Sequence, residues 1–294
     1  MNFITTSAGT YAYYPCLDKD NKKGTIIFIH GFATTSEYHD GFIEAIKNEY
    51  DYYALQLPGH GIADYPSSWG KIEVDFYTDY CVNLIKSLDL GQFFLIGHSM
   101  GGGLGIRVAN KMQGDVIAFV AVTPMNSHLP AKSIFNYWRF TPATEAKMVK
   151  LSYRLYNNFD KTIGQPGAAE FIKNEAAYQM EHRPFFVQLK KAMFSLKNVK
   201  LCRLNEQKLQ VPTLGIAGQH DKIIPFKSVI KALPNEVVIF SESGHLPFQE
   251  EPDKYNQVVL DFFAKYQLQP EAQVRVAPEI DPLQEAQTDE FVQD

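Results

Sequence analysis

The sequence predicts an α/β fold: a mostly parallel central sheet flanked by helices, with an α-helical lid inserted after the sixth strand. Three observations carry this. Short apolar runs alternate with helix-like stretches toward both ends of the 294-residue chain. Those runs lack polar alternation, as strands buried on both faces do. About eighty residues in the middle, 124–206, contain no convincing strand.

In chain order, residues 3–7 and 11–14, separated by Gly9, read as a hairpin. Residues 25–30 (TIIFIH) follow a KKG turn and end at Gly31, and residues 52–57 are closed by Pro58 and Gly59. Residues 93–96, Val116–Val122, 213–217 and 237–240 complete the strands. Between them, residues 37–48, Val74–Ser87, 101–112 and 226–233 carry apolar residues at three- and four-residue spacing, which predicts helices. Strand and helix in steady alternation imply parallel pairing with helices on both faces. The strandless middle holds aromatics such as Phe135, Tyr137, Trp138, Phe140, Phe185 and Phe186, and reads as several helices above the C-terminal edge of the sheet. The expected organisation is a core of residues 1–123 and 207–268, a helical lid of 124–206 and an acidic, disordered tail of 269–294.

Composition narrows the function. A hydrophobic share of 45% and a charged share of 21% are ordinary for a soluble globular protein. Net charge is −5, which argues against a dedicated nucleic-acid binder. The charge is uneven: residues 124–206 hold thirteen basic and six acidic side chains, net +7, whereas the tail holds seven acids against Arg275. A basic mouth that attracts anionic substrates is one reading of that excess, and a solvated helical surface is the other. Cys16, Cys81 and Cys202 are far apart and in no CxxC pattern, so neither a disulfide framework nor a zinc site is expected. The first fifteen residues lack a basic and an apolar region, so no signal peptide is expected. Val116–Val122 falls far short of the roughly 20 apolar residues of a membrane span. A cytoplasmic protein without a membrane span follows as the expectation, and its oligomeric state is not legible.

The chemistry begins at Gly97-His98-Ser99-Met100-Gly101, a G-x-S-x-G string with an apolar strand (FFLI) running in and a helix-like segment leaving. That context marks a nucleophile elbow, a strained turn that lifts the seryl hydroxyl off the sheet edge. Gly97 and Gly101 leave room for neighbouring backbones. Downstream, Asp221 in Gly-Gln-His-Asp and His245 in Ser-Gly-His-Leu each fall just past a strand's C-terminal end, where open parallel sheets place functional groups. Their order, Ser then Asp then His, suits a serine nucleophile with a histidine base and an orienting carboxylate. The segment after Val116–Val122 reads Thr-Pro-Met-Asn-Ser and offers no rival carboxylate. Glu242 and Glu250 lie too close to His245 in sequence to be preferred over Asp221. His30, His60 and His98 read as structural.

GHSMGG, the His30-Gly31-Phe32 triplet and the downstream Asp and His together resemble the lid-containing α/β-hydrolases, which include carboxylesterases, carbon–carbon bond hydrolases and cofactor-free haloperoxidases. The resemblance runs from about residue 24 to 265, interrupted by the insertion. It implies the α/β-hydrolase fold, no cofactor and no metal. It also implies an oxyanion hole made by the backbone N–H groups of Phe32 and Met100, with Gly31 supplying the sharp turn. Serine rather than aspartate at position 99 argues against a dehalogenase or an epoxide hydrolase.

The leading expectation is cleavage of a small-molecule carboxylic ester with a small to medium apolar acyl group, through an acyl-enzyme on Ser99. Carbon–carbon bond hydrolysis of a dioxo acid is the alternative. Those relatives usually follow the histidine with a bulky aromatic, and here Leu246 follows, which favours an ester. A third reading is a ligand-binding or receptor protein that retains the triad. Met125, Ser127 and Trp138 are the candidate pocket residues, the first two by their position past a strand end and Trp138 as a lid aromatic.

Overall fold

The computed structural model describes residues 2–69, 72–130, 140–164, 167–193, 195–233 and 236–267. Eight strands form one sheet in the order β1-β2-β4-β3-β5-β6-β7-β8. They are β1 (Asn2–Thr6), β2 (Gly9–Tyr14), β3 (Gly24–Ile29), β4 (Tyr50–Gln56), β5 (Phe93–His98), β6 (Val116–Val122), β7 (Thr213–Gly218) and β8 (Glu236–Phe240). The β1–β2 hairpin joins β4 antiparallel, and every later pairing is parallel.

Helices cover both faces. On one lie α2 (Val74–Ser87), α3 (Met100–Lys111) and α9 (Phe226–Ala232), whose Tyr77, Leu104 and Val229 share a core with Ile27 and Ile29 of β3. On the other lie α1 (Asp40–Ile46) and α11 (Pro252–Ala264), whose Phe42 and Tyr255 pack with Ile26 and Phe28 of the same strand. Alternate residues of β3 therefore enter two different cores, which is why its sequence is apolar without interruption.

Between β6 and β7 the described residues are helical: α4 (Glu145–Leu155), α5 (Phe159–Ile163), α6 (Gly167–Glu181), α7 (Arg183–Met193) and α8 (Leu196–Glu206). Side-chain caps start three of them. Thr144 accepts from the Lys147 N–H, Asn158 from Lys161 and Ser195 from Asn198. No helix of the described residues is long and apolar enough to cross a membrane. The acidic tail expected over 269–294 lies outside the described residues, as do Phe135, Tyr137 and Trp138.

Two elements differ from the sequence expectation. The helix expected over 37–48 is a 3-10 turn, Ser36–His39, followed by α1. Buried His39 sets the break: its ring stacks on Phe28 and Phe42, and its two nitrogens bond the hydroxyls of Tyr52 and Tyr255. The second difference is an addition: a short helix α10 (Pro247–Glu250) and the longer α11 after it, neither of them among the helices expected above. The α11 spacing Tyr255, Val259, Phe262, Phe263 is helical and legible in the sequence.

Glycine at 101 is a packing requirement. A Cβ there would lie 2.1 Å from the Ile29 carbonyl oxygen, whereas at Gly41, inside α1, nothing lies within 4 Å. Gly101→Ala should lower stability by at least about 3 kcal/mol. Gly41→Ala should raise it by about 0.5–1 kcal/mol. Urea denaturation midpoints of the two variants check both signs.

Candidate active site

Ser99 sits between the end of β5 and the start of α3 with φ 55° and ψ −116°. An L-residue reaches that region only under constraint. The constraint is the local fold. The Ser99 N–H donates to the Val122 carbonyl (2.9 Å), and the Ser99 carbonyl accepts from Gly103 (3.1 Å) and Met125 (2.8 Å). Gly97 permits the turn, since a Cβ there would lie 2.5 Å from the Gly101 carbonyl oxygen.

The structure brings Ser99, His245 and Asp221 together from three strand ends. His245 Nε2 lies 2.9 Å from Ser99 Oγ, and His245 Nδ1 lies 2.7 Å from Asp221 Oδ2. The other Asp221 oxygen accepts the N–H groups of Ile223 (2.7 Å) and Ile224 (2.9 Å), which fixes the carboxylate in place. An ionised carboxylate only accepts, so Nδ1 carries the proton and Nε2 is left as an acceptor for the seryl hydroxyl. The arrangement can move a proton from Ser99 Oγ to His245 Nε2 as an electrophile is attacked.

His98 and His30, beside the site, are buried and held by hydrogen bonds. His98 Nε2 lies 3.1 Å from the His245 carbonyl oxygen. Burial, with the neighbouring His245, pushes its pKa well down. His30 spans Gly31 O (2.8 Å) and the Leu57 N–H (3.1 Å), and burial lowers its pKa to about 4. Both are neutral props for the loops that carry the site. Cys16, Cys81 and Cys202 are free and buried. Among the described residues no cluster of His, Cys, Asp or Glu could hold a metal ion.

A cavity opens over Ser99, with about 70 Å³ of free volume. That is several times the roughly 10–15 Å³ one water needs on the same measure, so the space is a narrow slot. Gly31, Phe32 and Met100 line it beside Ser99. Met100 opens α3, and the first N–H groups of a helix have no partner within the helix. Gly31 is a glycine for a different reason than the expected sharp turn. Its φ is ordinary, while a Cβ there would lie 3.0 Å from His98 Nδ1 and 3.3 Å from Ser99 Cβ. The left-handed residue of this loop is Ala33, with φ 54°.

Of the expected pocket residues, Met125 lines the slot. Ser127 is not among the described lining residues: its N–H (2.7 Å) and hydroxyl (2.5 Å) are tied to the Glu206 carboxylate at the end of α8. Trp138 lies outside the described residues. The helical segment supplies Met148, Leu151 and Met193 as apolar wall, and Glu175 and Gln179 as polar wall. Neither of the last two stands out in sequence, because an isolated Glu or Gln on a helix ordinarily faces water.

The same segment also supports His245. Its backbone N–H donates to the Leu155 carbonyl (2.6 Å) at the end of α4. Glu250 accepts the N–H groups of Gly244 (2.6 Å), Asn157 (2.6 Å) and Asn158 (3.1 Å), which ties the histidine loop to the chain leaving α4. Burial raises the Glu250 pKa, partly offset by these bonds. Glu250, a rival acid by composition, is thus a brace. Glu250→Ala should cost about 2–4 kcal/mol by leaving three amides without their charged acceptor, read as a lowered denaturation midpoint.

Comparison with known proteins agrees with the geometry. The profile of the alpha/beta hydrolase family matches residues 26–258. "Putative esterase/lipase 1" of Mycoplasma genitalium is 25% identical over 252 residues, covering 83% of this chain and 92% of that protein. "Putative esterase/lipase 3" of the same organism is 34% identical over 211 residues, covering 71% and 72%. Among solved structures, a putative lipase from Acinetobacter baumannii AYE superposes with a TM-score of 0.77 at 18% identity, covering 90% of this chain and 91% of that one. A meta-cleavage product hydrolase from Pseudomonas fluorescens IP01 superposes with a TM-score of 0.73 at 18% identity, covering 90% and 98%. The family match spans most of the chain; the chain belongs to the alpha/beta hydrolase family.

Proposed function

We propose that this chain is a serine esterase that cleaves carboxylic esters with a small to medium apolar acyl group through an acyl-enzyme on Ser99. The observation that carries the reading is the continuous hydrogen-bonded run from Ser99 Oγ through His245 to Asp221. As Ser99 Oγ attacks the ester carbonyl, His245 Nε2 takes its proton, and Asp221 stabilises the imidazolium through Nδ1–H. The carbonyl oxygen becomes an oxyanion and takes the Phe32 and Met100 backbone N–H groups. Collapse expels the alcohol, protonated by His245. Water then gives a proton to His245 and attacks the acyl carbon, and the second tetrahedral intermediate expels Ser99 Oγ, which recovers the proton.

The helical segment 124–206 acts as the lid in this reading, and its apolar wall accounts for the preference for apolar groups. Relatives named esterase/lipase support the ester as substrate. Cleavage of a dioxo acid is disfavoured by charge: Glu175 lines the slot, no lysine or arginine does among the described residues, and the substrate would add a carboxylate.

Purified protein should show burst kinetics with p-nitrophenyl butyrate. Ser99→Ala should lower kcat by about 10⁴-fold or more, and Asp221→Asn by about 10⁴-fold with little change in KM. A wild type no faster than Ser99→Ala would instead assign a ligand-binding role.

A further inference from the structure

We propose that the wall shared by the slot over Ser99 and a wider cavity beside it forms a subsite for a protonated amine, made by Glu175 and Gln179 with the rings of Tyr38, Phe171 and Tyr178, so that the ester bound there carries an ammonium group on one arm and an apolar chain on the other. Its placement on an ester rests on the proposed function of Ser99. The slot abuts a second, wider cavity of about 390 Å³, and the two share a wall that includes Thr34, Tyr38 and Glu175.

Each component asks for a donor or a cation. Gln179 is buried; its Nε2 donates to the Ala33 carbonyl (3.1 Å), and that bond sets the amide orientation. Its Oε1 is then a buried acceptor, without a partner among the described residues, on the wall of the slot. Such an acceptor is unfavourable until a ligand donor reaches it. Glu175 lies beside Tyr38 and faces a second carboxylate, Glu37, which lines the wider cavity with it. Among the described residues no lysine or arginine lines either cavity. Burial, reinforced by Glu37, raises the Glu175 carboxyl to about 7, as expected of an acid without a countercharge. Tyr38 and Phe171 meet edge to face at 6.5 Å, and Tyr178 lines the same cavity, so aromatic faces suited to a cation surround the acid. A primary ammonium answers all three needs at once. It pairs with Glu175, donates to Gln179 Oε1 and rests on the rings. A quaternary ammonium has no N–H for Gln179.

Two pairs of esters that differ only in exchanging an ammonium for a methyl group test this: 4-aminobutyl butyrate with pentyl butyrate, and butyl 6-aminohexanoate with butyl heptanoate. They place the charge on the alcohol and on the acyl arm respectively, and 4-hydroxybutyl butyrate supplies a donor without charge. The expected result is a kcat/KM preference of about tenfold or more for the amine in one pair, in line with a hydrogen bond to a charged group. Glu175→Gln should bring that ratio close to one, and because the ratio is taken within the variant, any general loss of turnover falls on both members of the pair and cancels. Ratios near one in both wild-type pairs, a hydroxybutyl ester as good as the amine, or a preference that survives Glu175→Gln would each overturn the proposal. Calorimetry with Ser99→Ala protein reads the same two pairs as binding. If no ester turns over yet the amine still binds about tenfold tighter, the esterase reading fails and the subsite stands. If neutral esters turn over and no preference exists in turnover or binding, the subsite fails and the esterase reading stands.

Discussion

The constraint on which the site depends is steric: the turn from β5 into α3 packs directly against the end of β3. Added Cβ atoms at Gly97 and Gly101 would lie 2.5 and 2.1 Å from backbone oxygens, so neither position accepts a side chain without moving main chain. Because the turn is that tight, Ser99 is held at φ 55°, with its N–H and carbonyl both committed to backbone partners. The same closeness brings the loop after β3 to within van der Waals reach of Ser99, which is why position 31 is also a glycine. Ser99 and the loop after β3 are thus placed by one packing event, and the strain at Ser99 is balanced by the burial of the β-strands and helices on either side.

His245 depends on a different arrangement, one that ties its loop to the helical segment between β6 and β7. His245 is carried on the β8–α10 loop, yet its backbone N–H bonds to the last carbonyl of α4, and Glu250 gathers amides from both sides. Gly244 marks the same contact, since a Cβ there would lie 2.6 Å from the Leu155 oxygen. The end of α4 at Leu155 cannot shift without disturbing the loop that carries His245.

What was legible in the sequence follows from how local its cause is. The strands β3, β5 and β6 read correctly because burial on both faces leaves an uninterrupted apolar string, and Val74–Ser87 reads to the residue because its apolar stripe meets no obstacle. The spatial meeting of Ser99, Asp221 and His245 was legible through strand ends alone, since parallel topology gathers those ends on one edge. The break at His39 was not legible. It is set by Tyr52 and Tyr255, 13 and 216 residues away in sequence. Ser127 looked well placed past β6, but Glu206, 79 residues on, holds it away from the slot. Contacts of that range leave no periodic trace.

Charge gives the sharpest instance of the same limit. The insertion is net +7, which taken alone suggests a mouth for anions. Among the described residues no lysine or arginine lines the slot; Lys197 pairs with Glu73 on the core, and Lys190 and Arg183 bond Thr141. The side chain the insertion turns into the slot is Glu175. A net charge sums over solvated groups that water and salt screen within about 10 Å, while a single half-buried carboxylate acts at contact and through a low dielectric. One acid on the wall outweighs a net positive charge spread over the insertion, and among the described lining residues the charge of the slot is opposite to that of the segment that helps build it.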